Sequence, residues 1–235
     1  MISWVDYFLL CPLFLYLLIM KRIIGDAPIK NLIFDLGNVI IDLDIDRTWQ
    51  QFSHWLGDDY QQTLKKLDPN NDLFIQFEVG TISEEMFFKT LRDTVDAPLS
   101  IRHLKEAWNA MLLQLPAPRL AMLSRLKERY NVYLLSNTNA THLDWVDGYL
   151  RTVHGITIAD FDQRYFHKTY YSHLIQLRKP NVNCYEYVLQ DAGLNPAETL
   201  FIDDMPTNIE GAKKVGIYGY VHKIGDEIVE ILKDF

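Results

Sequence analysis

From residue 30 onward the chain repeats one pattern: a short apolar run rich in strand-forming residues ends on polar side chains, and a stretch with helical periodicity follows. Alternation of this kind is how a parallel sheet flanked by helices is written in sequence. The candidate strands are residues 32–35, 132–136, 199–203 and 217–221. The first three carry their polar residues at the carboxyl end, the edge at which open α/β sheets place their ligands. The expected fold is therefore α/β, a doubly wound, Rossmann-like parallel sheet whose strand ends converge on one site.

Between the first two strands lie about a hundred residues, too many for a single crossover helix, so a module is inserted there. Its pattern is helical. In "TISEEMFFKTLRD", Thr81 or Ser83 can serve as N-cap, Glu84 and Glu85 occupy the first turn, and Met86, Phe87, Leu91 and Val95 recur near helical spacing. Ser100 can cap a further helix carrying Leu104, Ala107, Trp108 and Met111, and an earlier one is expected from Trp49, Phe52 and Trp55 to Leu64 and Leu67. The simplest role for these stripes is the mutual core of a small bundle. The expected layout is an apolar extension over 1–29, a core formed by 30–45 and 116–235, and a helical module over 46–115.

The 49% hydrophobic content of this 235-residue chain is enough to bury a sizeable interior, and the formal net charge of −8 comes without any long Lys/Arg run. That balance excludes the basic footprint of a nucleic-acid binder and favours small-molecule chemistry. Cys11 and Cys184 lack metal-ligand spacing and fit a reducing, cytoplasmic setting with two unpaired thiols, neither expected as nucleophile. Residues 7–20, "YFLLCPLFLYLLIM", are uncharged, interrupted by Pro12 and followed by Lys21-Arg22. The run is shorter than the roughly 20 residues of a spanning helix. It also lacks the preceding positive charge of a secretory signal. Three readings stay open: an upstream start with Met20 as initiator, a packed or interfacial extension, and an anchor that would leave the remainder in the cytoplasm. Function is expected without membrane association, and the sequence is silent on oligomeric state.

Four polar sites fall at or near the strand ends: Asp35, Ser136-Asn137, Lys179 in "RKP", and Asp203-Asp204 in "FIDDMPTNIEGA". Taken singly, each is an ordinary turn or cap. Together they supply what phosphoryl transfer through a covalent intermediate requires. A carboxylate such as Asp35 can attack phosphorus. Asp203 and Asp204 beside it form an oxygen-only site suited to Mg²⁺, without which three clustered carboxylates are costly. The Ser136 hydroxyl and Asn137 amide can donate to non-bridging oxygens, and Lys179 can neutralise charge on nucleophile and phosphoryl group.

This ordered set resembles the haloacid dehalogenase-like hydrolase superfamily over roughly residues 30–222. The resemblance implies a small phosphorylated substrate and Mg²⁺ as cofactor, with Asp35 as nucleophile and Ser136 and Lys179 as phosphate ligands. It makes Asp204 the direct metal ligand, Asp203 a ligand or one bound through water, and the Gly37 carbonyl a third ligand. Asn208 falls where the family often has a supporting acid, and the insertion reads as the helical cap that selects the substrate. "FDLGNVIIDLD", "FEVGTISEEMF", "LLSNTN", "RKP" and "DDMPTNIEGAKKVGI" are similar to the branch containing α-D-glucose-1-phosphate phosphatase, so a sugar phosphate is expected.

One position departs from most phosphatases of that superfamily, which carry Asp two residues after the nucleophile as general acid and base; here it is Gly37. Either the leaving group needs little help, or Asp42, Asp44, a cap residue such as His54, or a water transfers the proton, or the protein binds without turnover. Asp42 and Asp44, two apart, can project to one side of an extended flap. Two other functions compete: metal-independent carbon–halogen hydrolysis by the same Asp, and a phosphate-binding regulatory module. The acid cluster argues against the first.

Overall fold

The computed structural model describes residues 28–56, 72–94 and 99–235. The apolar amino-terminal run with Cys11, the continuation of the first cap helix to Leu64 and Leu67, and Val95 lie outside the described residues.

Strands β1 (Asn31–Phe34), β2 (Asn131–Ser136), β3 (Lys168–Tyr171), β4 (Thr199–Asp203) and β5 (Tyr218–Val221) form one parallel sheet in the order β3-β2-β1-β4-β5. Strands without a solvent face must be apolar on both sides, and alternate residues here enter two different cores. Leu32, Phe34, Val132, Leu134, Leu200 and Ile202 pack on one face. Ile33, Tyr133, Leu135 and Phe201 pack on the other. Register places Phe34 beside Leu134 and Ile202, so the residues that follow these strands emerge together at one edge. The opposite edge is closed by a polar ladder, in which Asn131 Nδ2 donates to Asn31 Oδ1 and Asn31 Nδ2 donates to Thr199 Oγ1. β3 was not expected from sequence, and it brings the sheet to five strands.

The cap begins with α1 (Ile45–Leu56), continues through α2 (Asp72–Glu78) and α3 (Glu84–Thr94), and ends with α4 (Ile101–Asn109). Its interior is its own: Phe52, Phe77, Phe87, Phe88, Leu91, Leu104 and Ala107 are buried together, with Phe77 stacked on Phe87 at 4.1 Å. Ser83 is the N-cap of α3, accepting from the Met86 N–H at 3.1 Å, while Thr81 Oγ1 donates to Gln76 O. Ser100 caps α4 through the His103 N–H. Met86 departs from the expected stripe and is 57% exposed, because Phe87 and Phe88 together fill the space beneath α3. Met111 lies beyond the end of α4. The two segments linking cap and core pair with each other: Asp42 N–H donates to Gln114 O, Leu113 N–H to Asp42 O, and Asp44 N–H to Met111 O.

After the cap come α5 (Ala117–Lys127), α6 (Ala140–Tyr149), α7 (Ile158–Tyr165), α8 (Ser172–Ile175), α9 (Val182–Ala192), α10 (Pro206–Lys213) and α11 (Ile228–Ile231). α5, α6 and α7 cover one face of the sheet, and α9 and α10 the other. No helix among the described residues is long and apolar enough to cross a membrane.

Candidate active site

Asp35 stands one residue past β1, its N–H still donating to Ile202 O at 2.9 Å, so the sheet itself fixes the backbone that carries it. The chain then turns back at once: Ile40 and Ile41 N–H groups both donate to Leu36 O. Asn38 occupies a left-handed conformation at φ 54°. An asparagine tolerates that backbone where most side chains do not. Its side chain also ties the turn, accepting from the Leu43 N–H at 3.2 Å and donating to Asp204 Oδ2 at 2.9 Å.

The centre of the site is Lys179. Its ammonium, almost completely buried, donates to Asp35 Oδ1 at 2.7 Å and to Asp203 Oδ2 at 2.6 Å. Asp203, with no exposed surface, is saturated: Oδ1 accepts from the Met205 N–H at 2.8 Å, and Asn208 Nδ2 reaches both oxygens at 3.0 Å. Burial pushes the Asp35 carboxyl up, to about 7, against the pull of Lys179 and with the help of Asp203. Burial also raises Asp204. Burial works against the Lys179 ammonium, but Asp35 and Asp203 outweigh it and hold the lysine above its ordinary value.

Oxygens of Asp35, Asp203 and Asp204 lie within 4.8 Å of one another. A hard divalent cation fits this donor set, since all three groups offer oxygen and the burial that raises two of them is relieved by positive charge. Asp204 is only partly buried, and of the acidic pair it is the one with lone pairs to spare.

Asp35, Gly37, Ser136, Asn137, Lys179, Asp204 and Asn208 all line one cleft of about 460 Å³ under the cap. Four candidates have other partners or placements. The Asn137 side chain is engaged by the Lys179 backbone: its Nδ2 donates to Lys179 O at 2.9 Å, and its Oδ1 accepts from the Lys179 N–H at 3.0 Å. This reciprocal pair fixes the loop that presents the lysine. Asp42 and Asp44 do not line the cleft. Asp42 is held by Arg119 at 2.7 Å and Gln114 at 3.1 Å, and Asp44 by Arg47 at 3.2 Å, so both carboxylates serve the cap linker. His54 is likewise outside the cleft. The buried Cys184 thiol is pushed up to about 11 by desolvation, which makes it inert as a nucleophile.

Sequence reasoning missed several lining residues. Asn38 is signalled only weakly, by an asparagine after glycine at a tight turn. Trp108 and His142 stack at 5.5 Å, and Phe74 stacks on Trp108 at 5.7 Å. His142 is held neutral, burial driving it down to about 4, with its ring 3.3 Å from both Trp108 O and Asn139 Nδ2. Arg178 Nε donates to Glu78 Oε1 at 2.5 Å, joining core to cap.

The comparisons with known proteins agree with this geometry. Residues 29–216 match the haloacid dehalogenase-like hydrolase family. A D-ribitol-5-phosphate phosphatase from Bacteroides thetaiotaomicron is 32% identical over 188 residues, covering 80% of this chain and 89% of the relative. A HAD family enzyme from the same organism, crystallised as the wild-type protein with magnesium and inorganic phosphate, has a TM-score of 0.75 at 35% identity, over 85% of this chain and 96% of that one. A predicted HAD-like hydrolase from Porphyromonas gingivalis has a TM-score of 0.77 at 31% identity, over 88% and 98%. With the family match spanning most of the chain and the strand-end site in place, the protein belongs to the haloacid dehalogenase-like hydrolases.

Proposed function

We propose that the protein is a Mg²⁺-dependent phosphatase that hydrolyses a small phosphorylated metabolite, a sugar phosphate, through an aspartyl-phosphate intermediate. The observation that carries this reading is the Lys179 ammonium bridging Asp35 and Asp203 at hydrogen-bond distance. Asp35 attacks phosphorus, the bond to the leaving oxygen breaks, and that oxygen takes a proton. Water then attacks the acyl phosphate, releasing inorganic phosphate and restoring Asp35. Ser136 and the backbone N–H groups of its loop hold the non-bridging oxygens, while Lys179 offsets charge on nucleophile and phosphoryl group. Asn137 and Asn208 are positioning residues, the first for Lys179 and the second for Asp203.

Asp35, Asp204 and the Gly37 carbonyl would hold Mg²⁺, with Asp203 behind them. When bound, the ion lowers the repulsion between an anionic nucleophile and an anionic phosphate. The structure of a relative with magnesium and phosphate supports the cofactor, and the ribitol-phosphate relative supports a polyol or sugar leaving group. Carbon–halogen hydrolysis gains nothing from three acids that need a cation.

The test is turnover of a generic aryl phosphate in Mg²⁺, in excess chelator, and by Asp35→Asn. Mg²⁺-dependent turnover that falls by several orders of magnitude in Asp35→Asn is expected. Full activity in chelator, near-normal rates in the variant, or phosphate binding with no turnover would overturn the proposal.

A further inference from the structure

The cleft above the phosphate end has a wall and an edge of different chemistry. The wall is aromatic: Phe74 and His142 each stack with Trp108, at interplanar angles of 17° and 21°. The edge is the ion pair between Glu78, the last residue of α2, and Arg178, next to Lys179. Both side chains line the cleft, and each keeps 28% of its side chain exposed.

The amide and imidazole side chains that line the cleft are already spent. Asn38 serves Asp204 and Leu43, Asn137 serves Lys179, and Asn208 serves Asp203. Asn139 caps α6, and His142 is neutral and engaged through both ring nitrogens. Arg178 uses Nε on Glu78 Oε1; its remaining N–H groups and Glu78 Oε2 have no partner among the described residues. The pair thus offers donors and an acceptor side by side, which is what adjacent hydroxyls need.

The backbone at its cap end is also anchored. Glu78 O accepts from Ser172 Oγ at 2.6 Å, and Ser172 Oγ accepts from the Thr138 N–H at 2.9 Å, so the cap end of the pair is anchored to the phosphate loop. A rigid charged pair beside an apolar face suits a leaving group that is itself two-sided.

We infer that Glu78 and Arg178 are specificity-determining residues that hydrogen-bond the hydroxyls of a polyhydroxylated leaving group, while its C–H face lies on the Phe74–Trp108 wall. This deepens the proposed phosphatase reading and rests on it. A site built to bond hydroxyls rejects an analogue lacking them, because its polar groups are then left without partners.

The experiment measures kcat/KM for an acyclic polyol phosphate and for the alkyl phosphate of the same chain length, with an aryl phosphate as control. The wild-type protein should favour the polyol ester, and Arg178→Met should lower the polyol-to-alkyl ratio by about tenfold or more, with Arg178→Lys between them. Each ratio is taken on one preparation, so loss of folded protein cancels, and a role confined to holding the cap would move both esters together. A wild-type ratio at or below one, or a ratio unchanged in both variants, overturns the inference. Absence of turnover with all three esters, the aryl control included, overturns instead the phosphatase reading beneath it.

Discussion

The Lys179 ammonium lies 2.7 Å from the carboxylate of Asp35, inside the core and almost without solvent. The same nitrogen serves Asp203, so one cation holds two buried acids. Lys179→Met should therefore destabilise the metal-free protein by about 3–5 kcal/mol, the usual cost of breaking a buried pair. The lysine is raised in the folded state, so its own titration leaves that contribution intact below its ordinary value of 10.5 and removes it only as pH rises above that. Thermal melts at pH 7 in chelator check this; an unchanged melting temperature would show that the ammonium does not hold the acids.

Asn38 should tune the metal site from behind. Its Nδ2 bonds Asp204, and its backbone sits at φ 54°. Asn38→Gly accepts the backbone but removes the bond, whereas Asn38→Ala loses both. Loss of such an orienting partner typically costs about 10–100-fold in metal affinity. Mg²⁺ titrations followed by activity and by calorimetry should find the alanine variant weaker and less stable than glycine; equal affinity in all three proteins would remove Asn38 from the site.

At Gly80 the backbone of the cap runs close against the backbone of the core. A Cβ there would lie 2.1 Å from His173 O, and φ is +69°. The obstacle is backbone, so it cannot rotate away, and the conformation itself is strained for other residues. Gly80→Ala should lower stability by roughly 1–3 kcal/mol and raise KM more than it lowers kcat. A melt and a Michaelis series decide it, and a neutral effect would mean that the α2–α3 turn is free to move off α8.

His142 gives the protein an acid-sensitive contact. Its folded-state value is depressed from 6.5 to about 4 by burial. The unfolded chain therefore binds the extra proton first, so this group's contribution is present above pH 6.5 and lost as pH falls toward 4. His142→Gln should show a shallower loss of melting temperature across that window than the parent. Parallel profiles would mean the imidazole is accessible in the folded state.

The carboxylate edge was legible because strand ends are written locally: "FIDD" is an apolar run closing on acids, and β4 spans residues 199–203 as expected. β3 was not, since "KTYY" is four residues long at the sheet edge, with Lys168 exposed and no apolar run to announce it. Side-chain commitments were illegible for a different reason. Asp42 is taken by Arg119, 77 residues away, and Asn137 by the backbone of Lys179, 42 residues away. Spacing cannot reveal which of two adjacent polar groups a distant loop will claim.

Gly37 leaves the phosphate end without the carboxyl group that most of the superfamily uses for proton transfer, and Asp42 and Asp44 are held elsewhere. Among the described residues that line the cleft, the remaining acid is Glu78, paired with Arg178. Rate should therefore depend on how well the departing oxygen bears charge. General acid help is typically worth about 10²–10⁴-fold, so across aryl phosphates of graded acidity kcat/KM should fall steeply as the leaving phenol becomes less acidic. Gly37→Asp should flatten that slope. Its Cβ would meet Leu43 Cδ1 at 2.6 Å, but that atom is the far end of a flexible side chain, and Gly37 is not in a left-handed conformation. Gly37→Asp combined with Leu43→Ala should accept the new carboxyl group with less disturbance than the single change. Sugar 1-phosphates should outrun the matching 6-phosphates in the parent and lose part of that lead in the double variant. A flat series in the parent, with chemistry shown to be the slow step, would mean that a bound water or a cap group already delivers the proton.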